Sequence, residues 1–275
     1  MRGPHRSCDH GATRHPFRPT PMSPWCGIPH RARPAEAGVA PSHSPHSSLD
    51  WRHSLSPERR RGAAAPYGGG IDASTLLVYI MDVYDPWSYA YLPSVSAVLS
   101  AAGSVVDVEI VQAGHLQHSG LGSFAADVDA VRGTTDACFG REFLDAVHAG
   151  SLEVDGEAAA AGVIALLATE ELPVSTVLGA VQHEFFVCGR PLEAPGVLAR
   201  VATDLGLDAQ AVELFAASTR AHELAVEDFA VARDLNIDGR PLLLASRGDR
   251  LFEFDGLGAS SQRLVDQFRT VVSRP

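Results

Sequence analysis

The stretch STLLVYIMDVYDPWSYAYLP, residues 74–93, confines the fold more than any other part of the chain. Its first half is a run of Leu, Val, Ile, Met and Tyr, far shorter than the ~20 residues a membrane-crossing helix needs. Such a run suits a central strand buried on both faces. Asp85 and Pro86 then stand in the order that starts a helix. The Asp side chain can cap the free N–H groups, and Pro sits where its missing N–H costs nothing. The spacing predicts a helix from Pro86 to about Ala102, stopped at Gly103. VVDVEIV, residues 105–111, alternates as a second strand, parallel to the first if the helix is a crossover.

From about Phe139 to Leu235 the pattern turns helical. Asp155 is placed to cap one helix. Val174, Val177, Leu178, Val181 and Phe185 line one face of a second, and Asp208 is placed to cap a third. NIDGRPLLLAS and DRLFEFDGLG then read as two strands, and SSQRLVDQFRTVV as a closing helix. Strand, helix, strand, helical block, strand, strand, helix is an α/β order, that of a thioredoxin fold interrupted by an all-helical domain. The expected parts are a disordered head at 1–73, the N-terminal part of the thioredoxin fold at 74–138, a helical insertion at 139–235 and the C-terminal part at 236–275.

Charge separates head from body. Residues 1–70 carry ten arginines against four acids; residues 71–275 carry twelve against twenty-nine. An acidic body repels polyanions, which argues against nucleic acid as a partner. The head holds eleven of the eighteen prolines and seven of the twelve histidines without any helical or strand period, the composition of a segment with no core. The four cysteines, Cys8, Cys26, Cys138 and Cys188, show neither C-x-x-C spacing nor a zinc pattern. No metal site, no membrane span and no export signal is expected, and cytoplasmic residence follows as the default.

With YIMDVYDPWSYAYLP, HEFFVCGRPLEAPGVLARVATDLGLDAQAV and FAVARDLNIDGRPLLL in view, residues 75–272 resemble the DsbA-like thioredoxin superfamily. The resemblance is to its cytoplasmic FrnE-type branch in particular, and more distantly to kappa-class glutathione transferases and hydroxychromene-carboxylate isomerases. Redox members of that superfamily carry Cys-x-Trp-Cys-Tyr at the bend. Here DVYDPWSY falls on the pattern, with Asp82 on the family Asp, Asp85 and Ser88 on the two cysteines, and Pro86, Trp87 and Tyr89 completing it. Thiol–disulfide exchange needs a thiolate and a resolving thiol, which a carboxylate and a hydroxyl cannot replace, so dithiol chemistry is excluded at this site unless Cys138 or Cys188 supplies the sulfur. Asp85 is then either a helix cap or a general base, weakened as a base by the helix dipole, which should lower its pKa. Ser88 is either inert or catalytic. The resemblance further implies a cis bond between Arg240 and Pro241 facing the bend, and His115 lies on a loop near the same cleft.

Two functions fit. One is an isomerase, or a transferase assisted by a low-molecular-weight thiol, on a small aromatic or polyketide-type substrate of bacterial secondary metabolism. Asp85 and Ser88 are its candidate catalytic groups, and Asp82, Pro86, Trp87, Tyr89, His115, Arg240 and Pro241 its candidate substrate contacts. Tyr84, Tyr91, Phe185 and Phe186 are further candidates for an aromatic wall. The other function is a redox-inactive binding or chaperone-like module. Both are compatible with a homodimer.

Overall fold

The computed structural model describes residues 75–103, 105–114, 124–169, 172–235, 237, 241–247 and 250–273. The expectation of a disordered head, along with His115, Arg240 and the isomer of the Arg240–Pro241 bond, therefore lies outside the described residues.

Among the described residues, four strands form one mixed sheet in the order β2-β1-β3-β4. β1 (Thr75–Met81) pairs parallel with β2 (Asp107–Gln112) and antiparallel with β3 (Leu242–Arg247), and β3 pairs antiparallel with β4 (Arg250–Glu253). The apolar run thus occupies an interior position in the sheet, as its composition requires. Period-two alternation splits its side chains between two cores. Leu77, Tyr79 and Met81 face one side, and Val78 and Ile80 face the other.

The first side is covered by α1 (Pro86–Ala102) and α9 (Ser261–Ser273), which pack on each other. The second is covered by the end of α8 (Thr219–Asp234) through Val231 and Ala232. Between β2 and α8 the chain forms α2 (Phe124–Thr134), α3 (Arg141–Ala149), α4 (Gly156–Leu167), α5 (Val174–Phe186), α6 (Val197–Asp204) and α7 (Ala209–Ala216). Asp155 and Asp208 cap α4 and α7 as their positions suggest, each accepting two backbone N–H bonds. The face of α5 bearing Val177, Leu178, Val181 and Phe185 is buried, and α5 packs against α1. The architecture is α/β, a thioredoxin-like fold with a helical insertion.

Helices begin at Phe124, earlier than the sequence pattern suggests. α2 buries only Phe124, Val128 and Val131, spaced one turn apart among Asp127, Asp129 and Arg132. That stripe is too narrow to announce a helix by itself, and packing on α1 stabilises it.

Candidate active site at the α1 bend

β1 ends at Met81, and the four residues Asp82, Val83, Tyr84 and Asp85 turn the chain into α1. Asp85 is the N-cap, with extended backbone (φ −80°, ψ 122°). Its Oδ1 accepts the Trp87 N–H at 3.1 Å, and its Oδ2 accepts the Ser88 N–H at 2.6 Å and the Ser88 hydroxyl at 2.7 Å. Ser88 Oγ in turn accepts the Asp82 N–H at 3.2 Å, and Asp82 Oδ1 accepts the Tyr84 N–H at 2.8 Å. Asp82, Asp85 and Ser88 are all buried. The two positions expected to replace the thiols are therefore in direct contact, joined by one proton.

Burial pushes the Asp85 carboxyl up to about 7, with the nearby Asp82 carboxylate adding to the rise. The hydrogen bonds from Ser88 and Trp87 pull the other way and lose. This corrects the expectation that the helix dipole would lower it. At a site almost closed to water, desolvation of the charged form outweighs the three hydrogen bonds. Tyr79, beneath the first turn, has its own pKa raised by burial and by Asp85, and its hydroxyl reaches the Ser88 carbonyl at 3.5 Å.

Of the other expected contacts, Pro86 is buried at the first helical position, and Trp87 is half-buried with its indole N–H on Asp127 Oδ1 of α2 at 3.4 Å. Pro241 is buried directly before β3, which pairs alongside the end of β1. Tyr89 points away from any cleft. Its ring stacks on Phe186 with centroids 4.6 Å apart, and its hydroxyl donates to the Cys138 carbonyl at 2.7 Å. Tyr84, Tyr91, Phe185 and Phe186 are likewise core residues. The aromatic wall expected from the sequence is mostly interior packing: Tyr84 meets Phe185, Tyr89 meets Phe186 and Tyr91 meets Tyr79 of β1, and Trp87 alone of this group is partly exposed.

Sequence reasoning missed the strut that ties the bend to the insertion. The Tyr84 hydroxyl accepts the Leu192 N–H at 2.7 Å and donates to Glu193 Oε2, while Glu193 Oε1 accepts the Asp155 N–H at 2.6 Å. Tyr84 lies more than a hundred residues from Leu192 and Glu193 in the chain, so no local pattern announces the strut. Cys138 and Cys188 are half-buried and are not joined in a disulfide. Among the described residues no group of three or more His, Cys, Asp or Glu side chains converges as a metal site, and no helix is long and apolar enough to cross a membrane. An open groove of about 580 Å³ between β4 and α9, lined by Phe252, Arg263, Asp266 and Gln267 among others, shares no residue with the bend.

Residues 146–268 match the family model of the DSBA-like thioredoxin domain, a segment that starts in α3 and leaves out the bend. Among solved structures the chain is similar to the cytosolic disulfide reductase DsbM from Pseudomonas aeruginosa. The TM-score is 0.61 at 21% identity, over 71% of this chain and 98% of that one. It is equally similar to a putative protein disulfide isomerase from Nitrosomonas europaea, with TM-score 0.61 and 22% identity over 72% of this chain and 97% of that one. DsbM solved with GSH gives 0.59 at 22% identity, over 71% and 98%. The comparison with curated proteins finds no match. The family match covers less than half of the chain, and the likeness to the solved structures is one of fold.

Proposed function

We propose that this protein is an enzyme on the thioredoxin-like scaffold with no thiol at its bend, moving a proton on a small molecule there instead of exchanging disulfides. The observation that carries this reading is the contact between Asp85 Oδ2 and Ser88 Oγ at 2.7 Å, in the two positions on which the redox pattern of the superfamily places its cysteines. A carboxyl held near neutrality both takes and returns a proton at physiological pH, the condition for acid–base catalysis. Ser88 orients that carboxyl through its hydroxyl and its N–H. Isomerisation, or addition of a low-molecular-weight thiol, is the reaction class. The thiol draws support from the similarity to a reductase solved with GSH. The small aromatic or polyketide-type substrate, the FrnE-type affiliation and cytoplasmic residence rest on the sequence resemblance, and half-exposed Trp87 is the ring available at the bend.

A redox-inactive binding module is the competing reading. It is favoured by the burial of Asp85 and Ser88 and by their mutual hydrogen bonds, which a plain helix cap would also show. Turnover of aromatic polyketide intermediates, with and without glutathione, separates the two. Wild type is expected to convert a substrate, Asp85→Asn to fold and lose conversion, Ser88→Ala to retain part of it, and all three to be inert in insulin reduction. Equal behaviour of the three proteins toward every substrate would leave the binding module as the better account.

A further inference from the structure

Beneath the bend lies a side chain whose polar atoms have no partner. Gln112 is the last residue of β2 and stands opposite Met81, the last of β1; the Ala113 N–H closes the ladder on the Met81 carbonyl at 2.8 Å. Alternation along β2 puts Gln112 on the face of Ile110, which shares a core with Tyr79 and Met81, whereas Val111 faces α8. Its backbone N–H is held by Asp228 Oδ2 of α8 at 3.2 Å. The side chain is 2% exposed, and neither Nε2 nor Oε1 makes a hydrogen bond. A buried polar group left so is destabilising, a cost that disappears when a ligand supplies the partner.

Its position ties it to the acid–base pair. Tyr79, opposite Ile110, already reaches the Ser88 carbonyl in the first turn of α1. Gln112 stands one strand across and two residues further toward the bend, beside the strand end that continues into Asp82 and Asp85. Ligands of open α/β sheets settle at such carboxyl ends of strands.

We propose that the Gln112 carboxamide is the substrate's second polar contact at the bend, Nε2 donating to a carbonyl oxygen, which makes the substrate an enolisable carbonyl compound. The proposal rests on Asp85 acting as the base. The Asp85 carboxylate takes a proton from the carbon beside the carbonyl. The C–H electron pair becomes the C–C double bond of the enolate, and the carbonyl π pair moves onto oxygen, where the Gln112 N–H holds the charge. Asp85 then returns the proton to the same or the conjugated carbon, so nothing is oxidised or reduced.

The test uses a β,γ-unsaturated cyclohexenone, whose conversion to the conjugated isomer is followed by ultraviolet absorbance, and binding of that product by NMR titration. Wild type is expected to convert the ketone and bind the product. Gln112→Leu should lose roughly 10²-fold in conversion, the scale of one oxyanion donor, and bind product more weakly, with a melting temperature equal to or above wild type because a stranded amide is gone. Gln112→Met, which keeps the length and has no N–H or O–H to donate, should fail in the same way. Asp85→Asn should lose conversion and keep product binding. Gln112 variants that convert and bind like wild type would overturn the contact while leaving Asp85 as base. Conversion unchanged in Asp85→Asn would overturn the base and leave Gln112 standing. A wild type that neither converts the ketone nor binds its product would overturn the carbonyl assignment.

Discussion

The α1 bend and the loop after β4 each hold an aspartate with several hydrogen-bond donors, and the two are driven in opposite directions. Asp85 accepts three bonds and is raised to about 7, because burial dominates. Asp255 accepts bonds from Arg263 and from Gln267 Nε2, the latter at 2.9 Å, and is lowered, chiefly by the Arg263 hydrogen bond. The bend supplies only neutral donors and excludes water. The β4–α9 loop supplies a cation and keeps Asp255 36% exposed. The count of hydrogen bonds therefore does not set the charge of a carboxylate here; access to solvent and the presence of a counter-charge do. A raised carboxyl suits proton transfer, and a lowered one suits a tether.

The opposite signs have opposite consequences for stability. The folded state holds the Asp85 proton more tightly than the unfolded chain does. The stabilisation from protonation is complete below the ordinary value of 3.8 and is lost as pH rises through about 7. A shift of this size is worth about 4 kcal/mol at most. Asp255 runs the other way. Its contribution is present above 3.8 and is lost as pH falls through its lower folded value, and solvent screening keeps it small.

The largest expected effect is that of Asp85→Asn. Asn caps a helix about as well as Asp, so the variant should match wild type near pH 4, exceed it in stability at pH 8, and lack the decline between. Urea titrations at both pH values measure this, and parallel curves for the two proteins would show that Asp85 is not raised. Tyr84→Phe comes next. It strands the Leu192 N–H and the Glu193 carboxylate, and should cost about 1–3 kcal/mol in chemical denaturation; a neutral result would mean that the insertion does not brace the bend.

Ser88→Ala should cost about 1 kcal/mol, the net worth of one neutral hydrogen bond, and should move the Asp85 midpoint higher, since the Ser88 bond is what lowers it most. A downward move would contradict the assigned geometry. At the comparison site, Arg263→Gln should leave the melting temperature unchanged at neutral pH and raise the Asp255 midpoint toward 3.8 in NMR titration. An Asp255 midpoint that did not respond would break the contrast from its exposed side.

How far the sequence reveals this molecule follows from the range of each interaction. The buried strand, the Asp85–Pro86 start, and the caps at Asp155 and Asp208 are legible because each is decided within a few residues. α2 is obscured by its acidic side chains and its three-residue buried stripe. The Asp85 shift runs against the local dipole because burial is set by how β1, α1 and the later helices pack together, which the residues beside Asp85 do not report. The aromatic residues are visible as a cluster, but which of them face the core depends on how α1 meets β1 and α5. The pairing of Tyr84 with Glu193 and the isolation of Gln112 appear only once distant elements meet.

The most direct test of the central claim is a ¹³C NMR titration of the Asp85 carboxyl carbon in the intact protein, assigned by its loss in Asp85→Asn. A midpoint near 7 is the predicted result and would place a proton-transferring carboxyl at the head of α1. A midpoint at or below the ordinary 3.8 would contradict it, making Asp85 an ionised cap and removing the basis for acid–base chemistry at the bend.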